Sequence, residues 1–160
     1  MYVFGHAGLT IAAARSLDRG VDLRWAALLA LAPDLLDKPV RYLFPEIVNY
    51  NTRGFGHTLL FSLFVLAAAL IWTRRPRTAF ALWACYAGHF LFDSMWRGEN
   101  PVILLWPLLG DFPPYVRGNI VSLLTLSNVL CELAGLYAVH RLGLFNRPRL
   151  TALLKTGRLA

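Results

Sequence analysis

Long apolar runs alternate with short basic turns along most of this 160-residue sequence. Hydrophobic residues make up 57% of the chain, and its mean hydropathy is +0.50. A soluble domain of this length could not bury so much apolar side-chain surface. A bundle of helices in a bilayer can leave apolar faces in contact with lipid, because each helix satisfies its own backbone hydrogen bonds. The pattern therefore predicts an all-α, integral membrane helical bundle.

The apolar runs predict about five helices, some of them short. The predicted helices cover residues 2–17, 25–36, 57–73, 78–95 and 119–142. A crossing helix needs ~20 apolar residues, so the first two helices could form a hairpin that only partly crosses, whereas the fifth is long enough. Pro33 predicts a kink or break in the second helix. Residues 1–145 are predicted to form the membrane-embedded domain, and 146–160 a basic cytoplasmic tail.

The basic residues are concentrated beside the apolar runs, although the net charge of +7 would also suit a nucleic-acid-binding protein. Lys/Arg clusters next to apolar runs are typical of membrane topology signals, so we expect the bilayer as partner and no nucleic acid. The residues assigned to the cytoplasmic side are Arg15, Arg19, Arg24, Arg74, Arg75, Arg77, Arg141, Arg147, Arg149, Lys155 and Arg158. This assignment predicts a multi-pass protein with its N-terminus outside and its C-terminus inside.

Histidines and aspartates gather at one end of the predicted bundle. His89 and Asp93 are four residues apart, share one helix face and could bind a divalent cation. The alternative is a buried His–Asp hydrogen bond that only joins two helices. With the topology above, six candidate ligands from four helices lie toward the non-cytoplasmic side: His6, Asp34, Asp37, His57, His89 and Asp93. Polar residues with purely structural roles would be scattered over both ends, so this single layer favours a metal site.

Four short motifs occur in an order found in a known family. They are Gly5-His6, Pro33-Asp34-Leu35-Leu36-Asp37-Lys38, Thr52-Arg53-Gly54-Phe55-Gly56-His57-Thr58, and His89-Phe90-Leu91-Phe92-Asp93 with Trp106-Pro107 after it. Over about residues 1–110 the chain resembles the membrane-bound, metal-dependent hydrolases described as LexA-regulated inner-membrane proteins. Asp34 and Asp37 are one residue further apart than in the usual family motif, and Thr52 replaces a His. The ligand order is also distantly similar to that of zinc-dependent phospholipase C.

The resemblance implies an inner-membrane location and a divalent metal, for which Zn²⁺ suits a mixed His and carboxylate set, with one or two ions. The expected ligands are His57, His89, Asp93 and either Asp34 or Asp37, with His6 binding or orienting a second ion. A carboxylate that is not a ligand could accept a proton from water, and Asp37 is the candidate for this role. The alternative for Asp37 is a helix cap or a surface carboxylate.

Arg53 is expected to face a phosphate or carboxylate of the substrate, because a guanidinium binds such groups with two parallel hydrogen bonds. The alternative for Arg53 is an interfacial anchor. Glu132, deep in the fifth predicted helix, either lines the cavity, completes a second site or simply hydrogen-bonds another helix.

The chain is therefore interpreted as an integral-membrane, metal-dependent hydrolase. The expected reaction is phosphoester hydrolysis of a lipid or lipid-linked substrate at the non-cytoplasmic side, through a metal-activated water. The alternative is a non-catalytic metal-binding or transport-related membrane protein. A transporter would carry ionisable residues from one face to the other, whereas here they form one layer that only Glu132 could extend.

Overall fold

The computed structural model describes residues 3–44, 52–113 and 125–159, and every regular element in these ranges is helical, which confirms the all-α prediction. The α-helices are α1 Val3–Leu17, α2 Leu23–Leu43, α3 Leu59–Thr73, α4 Pro76–Phe92, α5 Asn100–Leu104, α6 Leu126–Arg141 and α7 Arg147–Thr156, and a 3₁₀ helix at Phe55–His57 precedes α3. The prediction of about five helices is wrong. Residues 100–104 and 147–156 are also helical, although they lack the long apolar runs on which that prediction rests.

The second helix runs without a break through Pro33 and Pro39, so the predicted end at residue 36 is wrong. Pro33 has no N–H group to donate to the Leu29 carbonyl oxygen four residues earlier, so the helix loses one hydrogen bond there. The next carbonyl oxygen, that of Ala30, is 2.8 Å from His89 Nδ1 of α4. This contact holds the turn before the proline against α4, and α2 continues to Leu43.

The helices pack around α1 and α4. The α4 helix contacts α1, α2 and α3, and α1 also packs along α6. One apolar core lies between α1, α2 and α4 and includes Ile11, Val21, Leu23 and Leu82. Leu153 of α7 joins this core. The basic C-terminal segment is therefore docked on the bundle, while its predicted cytoplasmic location remains a prediction.

The crossing of α1 and α6 depends on two glycines. A Cβ atom at Gly8 would overlap the Gly135 carbonyl group, and a Cβ at Gly135 would overlap the backbone of Phe4. Small residues allow helix backbones to approach this closely. At the same crossing, the Glu132 carboxylate accepts hydrogen bonds from the amides of Phe4 (3.0 Å) and Gly5 (2.7 Å). Glu132 therefore caps the first turn of α1. Of the roles predicted for Glu132, this is the one in which it hydrogen-bonds another helix.

The basic turns lie at the end of the bundle opposite His6 and His89. Arg77 Nε donates to the Leu17 carbonyl oxygen at 2.6 Å, and the Thr78 hydroxyl donates to Asp18 at 2.5 Å. The Thr78 hydroxyl, together with the Gly20 amide, lowers the pKa of Asp18 below its ordinary value. These contacts join the α1–α2 turn to the α3–α4 turn, so the two turns form one end of the molecule.

Large apolar side chains cover much of the outer surface. On α3, Phe64 is 66% and Ile71 78% exposed, and on α6 Leu126 is 74% exposed. Within the described ranges, none of the helices combines the length and the apolar composition that a complete membrane crossing needs. The predicted fifth helix corresponds to α6, and residues 119–124 of that prediction lie outside the described residues.

Candidate metal centre

Four side chains from three parts of the fold meet at one end of the bundle. Asp34 comes from α2 and His57 from the 3₁₀ helix, while His89 lies in the last turn of α4 and Asp93 is the residue that caps the end of α4. Each offers one ligand atom, and these four atoms lie within 4.8 Å of one another. His89 and Asp93 keep their helical spacing, because the Asp93 amide donates to the His89 carbonyl oxygen at 2.9 Å.

The ligand atoms alternate between nitrogen and oxygen around the cluster. His57 Nε2 lies 3.8 Å from both Asp34 Oδ1 and Asp93 Oδ2. His89 Nε2 lies 3.8 Å from Asp34 Oδ1 and 3.9 Å from Asp93 Oδ2. Zinc bonds of ~2.0–2.2 Å in tetrahedral geometry separate ligand atoms by ~3.3–3.6 Å. The four nitrogen–oxygen distances are therefore only a few tenths of an ångström longer than those around a bound zinc ion.

The two histidine nitrogens at the cluster fit a metal because no other group in the described ranges hydrogen-bonds them. His57 and His89 are 0% exposed, and neither Nε2 atom has a hydrogen-bond partner within the described part of the chain. A buried ring nitrogen without a partner carries a free-energy cost of about 1–3 kcal/mol. Two such nitrogens facing two carboxylate oxygens form a donor set that suits a divalent cation.

Hydrogen bonds behind the rings determine which nitrogen faces the cluster. His57 Nδ1 lies 2.7 Å from Asp37 Oδ2, and His89 Nδ1 lies 2.8 Å from the Ala30 carbonyl oxygen. Both partners are acceptors, so each Nδ1 is assigned the proton and each Nε2 presents a lone pair. This tautomer is the one that binds a metal through Nε2.

Asp37 lies behind His57 and outside the four-atom cluster. Its carboxylate also accepts hydrogen bonds from the amides of Gly54 (2.7 Å) and Gly56 (2.9 Å). A Cβ at Gly56 would come within 3.0 Å of the Pro33 carbonyl oxygen and 3.2 Å of the Asp37 carboxylate. The two glycines thus let the chain wrap around Asp37 and hold His57 against α2.

We expect Asp37→Asn to weaken zinc binding about 10- to 100-fold, the usual effect of losing a carboxylate behind a metal-binding His. An amide at this position can donate to His57 Nδ1 and favour the wrong tautomer. Competition with a chromogenic chelator measures the zinc affinity. Asp111→Asn is the matched control, because Asp111 is an exposed aspartate outside the four-residue cluster. An unchanged affinity in Asp37→Asn would contradict this role.

His6 lies beside the cluster, on the far side of Asp93. Its Nε2 atom is 3.3 Å from Asp93 Oδ1, and its ring centroid is 4.1 Å from that of His89. The side chain is 1% exposed, and the Glu132 cap on α1 lies one residue away at Gly5. His6 is therefore positioned to orient Asp93.

Two cations flank the carboxylates on the more accessible side. Lys38 Nζ lies 2.6 Å from Asp34 Oδ2, and Arg53 Nε lies 2.9 Å from Asp93 Oδ2. Arg53 Nη1 also donates to Asn100 Oδ1 at 3.4 Å. The side chains of Asp34, Lys38 and Arg53 are 21%, 43% and 28% exposed, so the cluster opens beside these three residues.

An apolar layer closes the inner side of the centre. Tyr86, Phe90, Met95 and Ile103 form a buried cluster, and the Tyr86 hydroxyl donates to the Gly56 carbonyl oxygen at 2.5 Å. This layer keeps water away from the buried side of the histidines. Sequence reasoning did not find Tyr86, Asn100 or the Ala30 carbonyl group, because an isolated polar side chain or a backbone carbonyl has no motif.

The structure thus brings the six predicted ligands into one region but in three different positions. Asp34, His57, His89 and Asp93 form the cluster, His6 lies beside Asp93, and Asp37 lies behind His57. The cluster could bind a metal, in agreement with the prediction that the cofactor is a divalent metal. Of the two aspartates of α2, it is Asp34 that faces the histidines.

A family model described as "YdjM inner membrane protein" matches residues 1–154, which include every residue of this centre. No curated protein and no solved structure shows significant similarity to the chain. The match agrees with the resemblance to the LexA-regulated inner-membrane proteins and associates the protein with the inner membrane, while the similarity to zinc-dependent phospholipase C stays a prediction. The chain therefore belongs to the YdjM inner membrane protein family.

Proposed function

We propose that this protein is a multi-pass inner-membrane, zinc-dependent phosphoesterase that hydrolyses a lipid or lipid-linked substrate at the non-cytoplasmic side. The observation that carries the proposal is the pair of buried, unbonded Nε2 atoms of His57 and His89 facing the Asp34 and Asp93 carboxylates. Groups arranged in this way at an accessible edge are typical of a reactive centre. When bound, zinc supplies a Lewis acid that lowers the pKa of coordinated water toward ~7.

The charges around the cluster favour an anionic substrate. Asp34, Asp37 and Asp93 contribute three negative charges, and Lys38 and Arg53 contribute two positive charges. A bound divalent cation would change the net charge of these five side chains and the cation together from −1 to +1. An excess of positive charge at the open edge attracts a phosphate ester and stabilises the charge that develops during its hydrolysis.

Arg53 is the residue best placed to hold a phosphate oxygen. Its Nε and Nη1 atoms are occupied by Asp93 and Asn100, and Nη2 makes no hydrogen bond within the residues that the structure describes. The contact with Asp93 orients the guanidinium plane, so that the remaining N–H groups point to a defined place beside the cluster.

Asp34 is the better candidate for the proton acceptor. The Asp37 carboxylate already accepts three hydrogen bonds, whereas Asp34 lies at the open edge with Oδ1 facing the histidines and Oδ2 held by Lys38. A catalytic zinc site typically has three protein ligands and one open position. His57, His89 and Asp93 supply three, which leaves Asp34 to take a proton from a water molecule at the open edge.

Asp34→Asn tests this function. We expect kcat on a chromogenic phosphodiester or a phospholipid to fall at least ~100-fold, in the range of general-base effects, because the amide cannot accept the proton. Zinc stoichiometry measured by elemental analysis should remain near one ion per chain. Asp111→Asn serves as the control. Failure of the fully zinc-loaded protein to hydrolyse any substrate of the panel would overturn the proposal.

We expect Arg53→Lys to lower kcat/KM for a phosphodiester about 10- to 100-fold. Lysine keeps the charge but loses the planar set of donors, a difference of about 1.4–2.7 kcal/mol in transition-state stabilisation. Arg97→Lys is the matched control. Arg97 is an exposed arginine in the connection between α4 and α5, shortly before Asn100, which contacts Arg53. Equal kinetics in the two variants would exclude a substrate contact by Arg53.

The second candidate function is non-catalytic metal binding. It is favoured by the number of protein ligands, since four ligands around zinc make a closed, structural site. Under this alternative, Asp34→Asn would release zinc, whereas under the proposal it retains zinc.

A further inference from the structure

An apolar groove of about 350 Å³ runs between α2, α3 and α4, away from the metal centre. Its floor is formed by the buried side chains of Ala69 and Leu82. Its walls are formed by Trp25, Phe64 and Trp72, which are 41%, 66% and 60% exposed. The groove exists because alanines at this face of α3 lie between much larger side chains. Within the described ranges, every residue that lines it is apolar.

One end of the groove lies near the basic turns, and the other lies on the side of the 3₁₀ helix that carries His57. At the end near the basic turns, the Trp25 and Trp72 rings meet edge to face with centroids 5.0 Å apart. At the other end Phe61 stacks on Tyr86, and the Tyr86 hydroxyl donates to the carbonyl group of Gly56. From Phe61 to Trp72, α3 rises ~16 Å at 1.5 Å per residue.

We propose that this groove binds one alkyl chain of a membrane lipid. The family is an inner-membrane family, so the outer face of α3 has alkyl chains available to it. An α-helix of another protein is ~10–12 Å wide with its side chains and would not enter a groove of this volume. Stable protein interfaces also bury far more surface than this groove offers. A single alkyl chain matches both the elongated shape and the uniformly apolar lining.

The direction of the groove deepens the proposed function. A lipid with the end of its chain at Trp72 and its polar end at Phe61 would have that polar end toward the layer of His57, and the cations Lys38 and Arg53 lie at that layer. The substrate class would then be a lipid phosphoester with one alkyl chain in the groove. Only the assignment of the bound lipid as substrate rests on the proposed function, and chain binding itself does not.

Native mass spectrometry of the detergent-purified protein, titrated with lysophosphatidylglycerols of increasing chain length, tests the inference. We expect one bound lipid per chain, with an affinity that rises with chain length until the groove is filled, because each added methylene makes further packing contacts with the walls. Ala68→Trp fills the groove and should lower this affinity at least ~10-fold. Ala67→Trp is the matched control, because Ala67 is the adjacent exposed residue of α3 and does not line the groove.

Equal affinities in Ala68→Trp and Ala67→Trp, or an affinity independent of chain length, would overturn the inference. If Ala68→Trp unfolds, Ala68→Leu provides a smaller obstruction at the same exposed position and should lower the affinity for the longest chains. If the natural protein is a dimer and Ala68→Trp dissociates it whereas Ala67→Trp does not, the occupant of the groove is a second copy of the chain instead. Lipid binding without any turnover would refute the phosphoesterase proposal and leave the groove assignment intact.

Discussion

His89→Ala is expected to abolish stoichiometric zinc binding. The substitution removes one of two nitrogen ligands and leaves Asp34 and Asp93 close together with only His57 between them. Losing a ligand itself should weaken binding by more than the 10- to 100-fold that follows loss of a supporting group. Elemental analysis after dialysis against a weak chelator should give about one zinc ion per chain for the natural protein and close to none for the variant.

His140→Ala is the control for this experiment. His140 is an exposed histidine near the end of α6, so its loss should leave zinc content unchanged. The far-ultraviolet circular dichroism of both variants should match the natural protein, because each helix keeps its own hydrogen bonds. Retention of one tightly bound zinc ion in His89→Ala would show that the four-residue cluster is not the metal site.

Gly135→Ala is expected to destabilise the whole bundle by about 3 kcal/mol or more, at the upper end of the range for overpacking. The added Cβ would overlap the backbone of Phe4 and Gly5, and a backbone cannot rotate away as a flexible side chain can. Separation of α1 from α6 would also break the two hydrogen bonds from α1 to Glu132. Total stabilities of only 5–15 kcal/mol make this a large fraction of the free energy of unfolding.

Thermal unfolding in detergent measures the effect of Gly135→Ala. Ala134→Val is the matched control, because Ala134 is the preceding, exposed residue of α6 and its side chain can grow without meeting α1. The control should unfold within a few degrees of the natural protein. Equal unfolding temperatures for Gly135→Ala and Ala134→Val would mean that the α1–α6 crossing is not as close as the structure places it.

Much of the metal centre could be predicted from local spacing. His89 and Asp93 are four residues apart, and any helix places such a pair on one face. The alternation of basic turns and apolar runs then indicated that His6 and His57 lie at the same end of the bundle as this pair. Both inferences need only helix geometry and the distribution of charge, which the chain carries locally.

The choice between Asp34 and Asp37 could not be made in this way. The two residues are three apart on α2, so both point to nearly the same side of the helix. Their different roles come from the turn at Gly54–Gly56, which wraps around Asp37 and leaves Asp34 facing the histidines. That turn is about 20 residues away along the chain, and no local pattern on α2 contains it.

The uninterrupted course of α2 has the same kind of origin. Proline favours a break when a helix is considered alone, but His89 of α4 donates to the Ala30 carbonyl group across the bundle. The sequence by itself determined that the chain is helical and strongly apolar, with its histidines and aspartates at one end, because these properties depend on composition and on periodicity within single helices. Only the tertiary structure decided which carboxylate faces the histidines, how closely α1 meets α6 and where an alkyl chain could lie, because each depends on contacts between residues that are far apart in the chain.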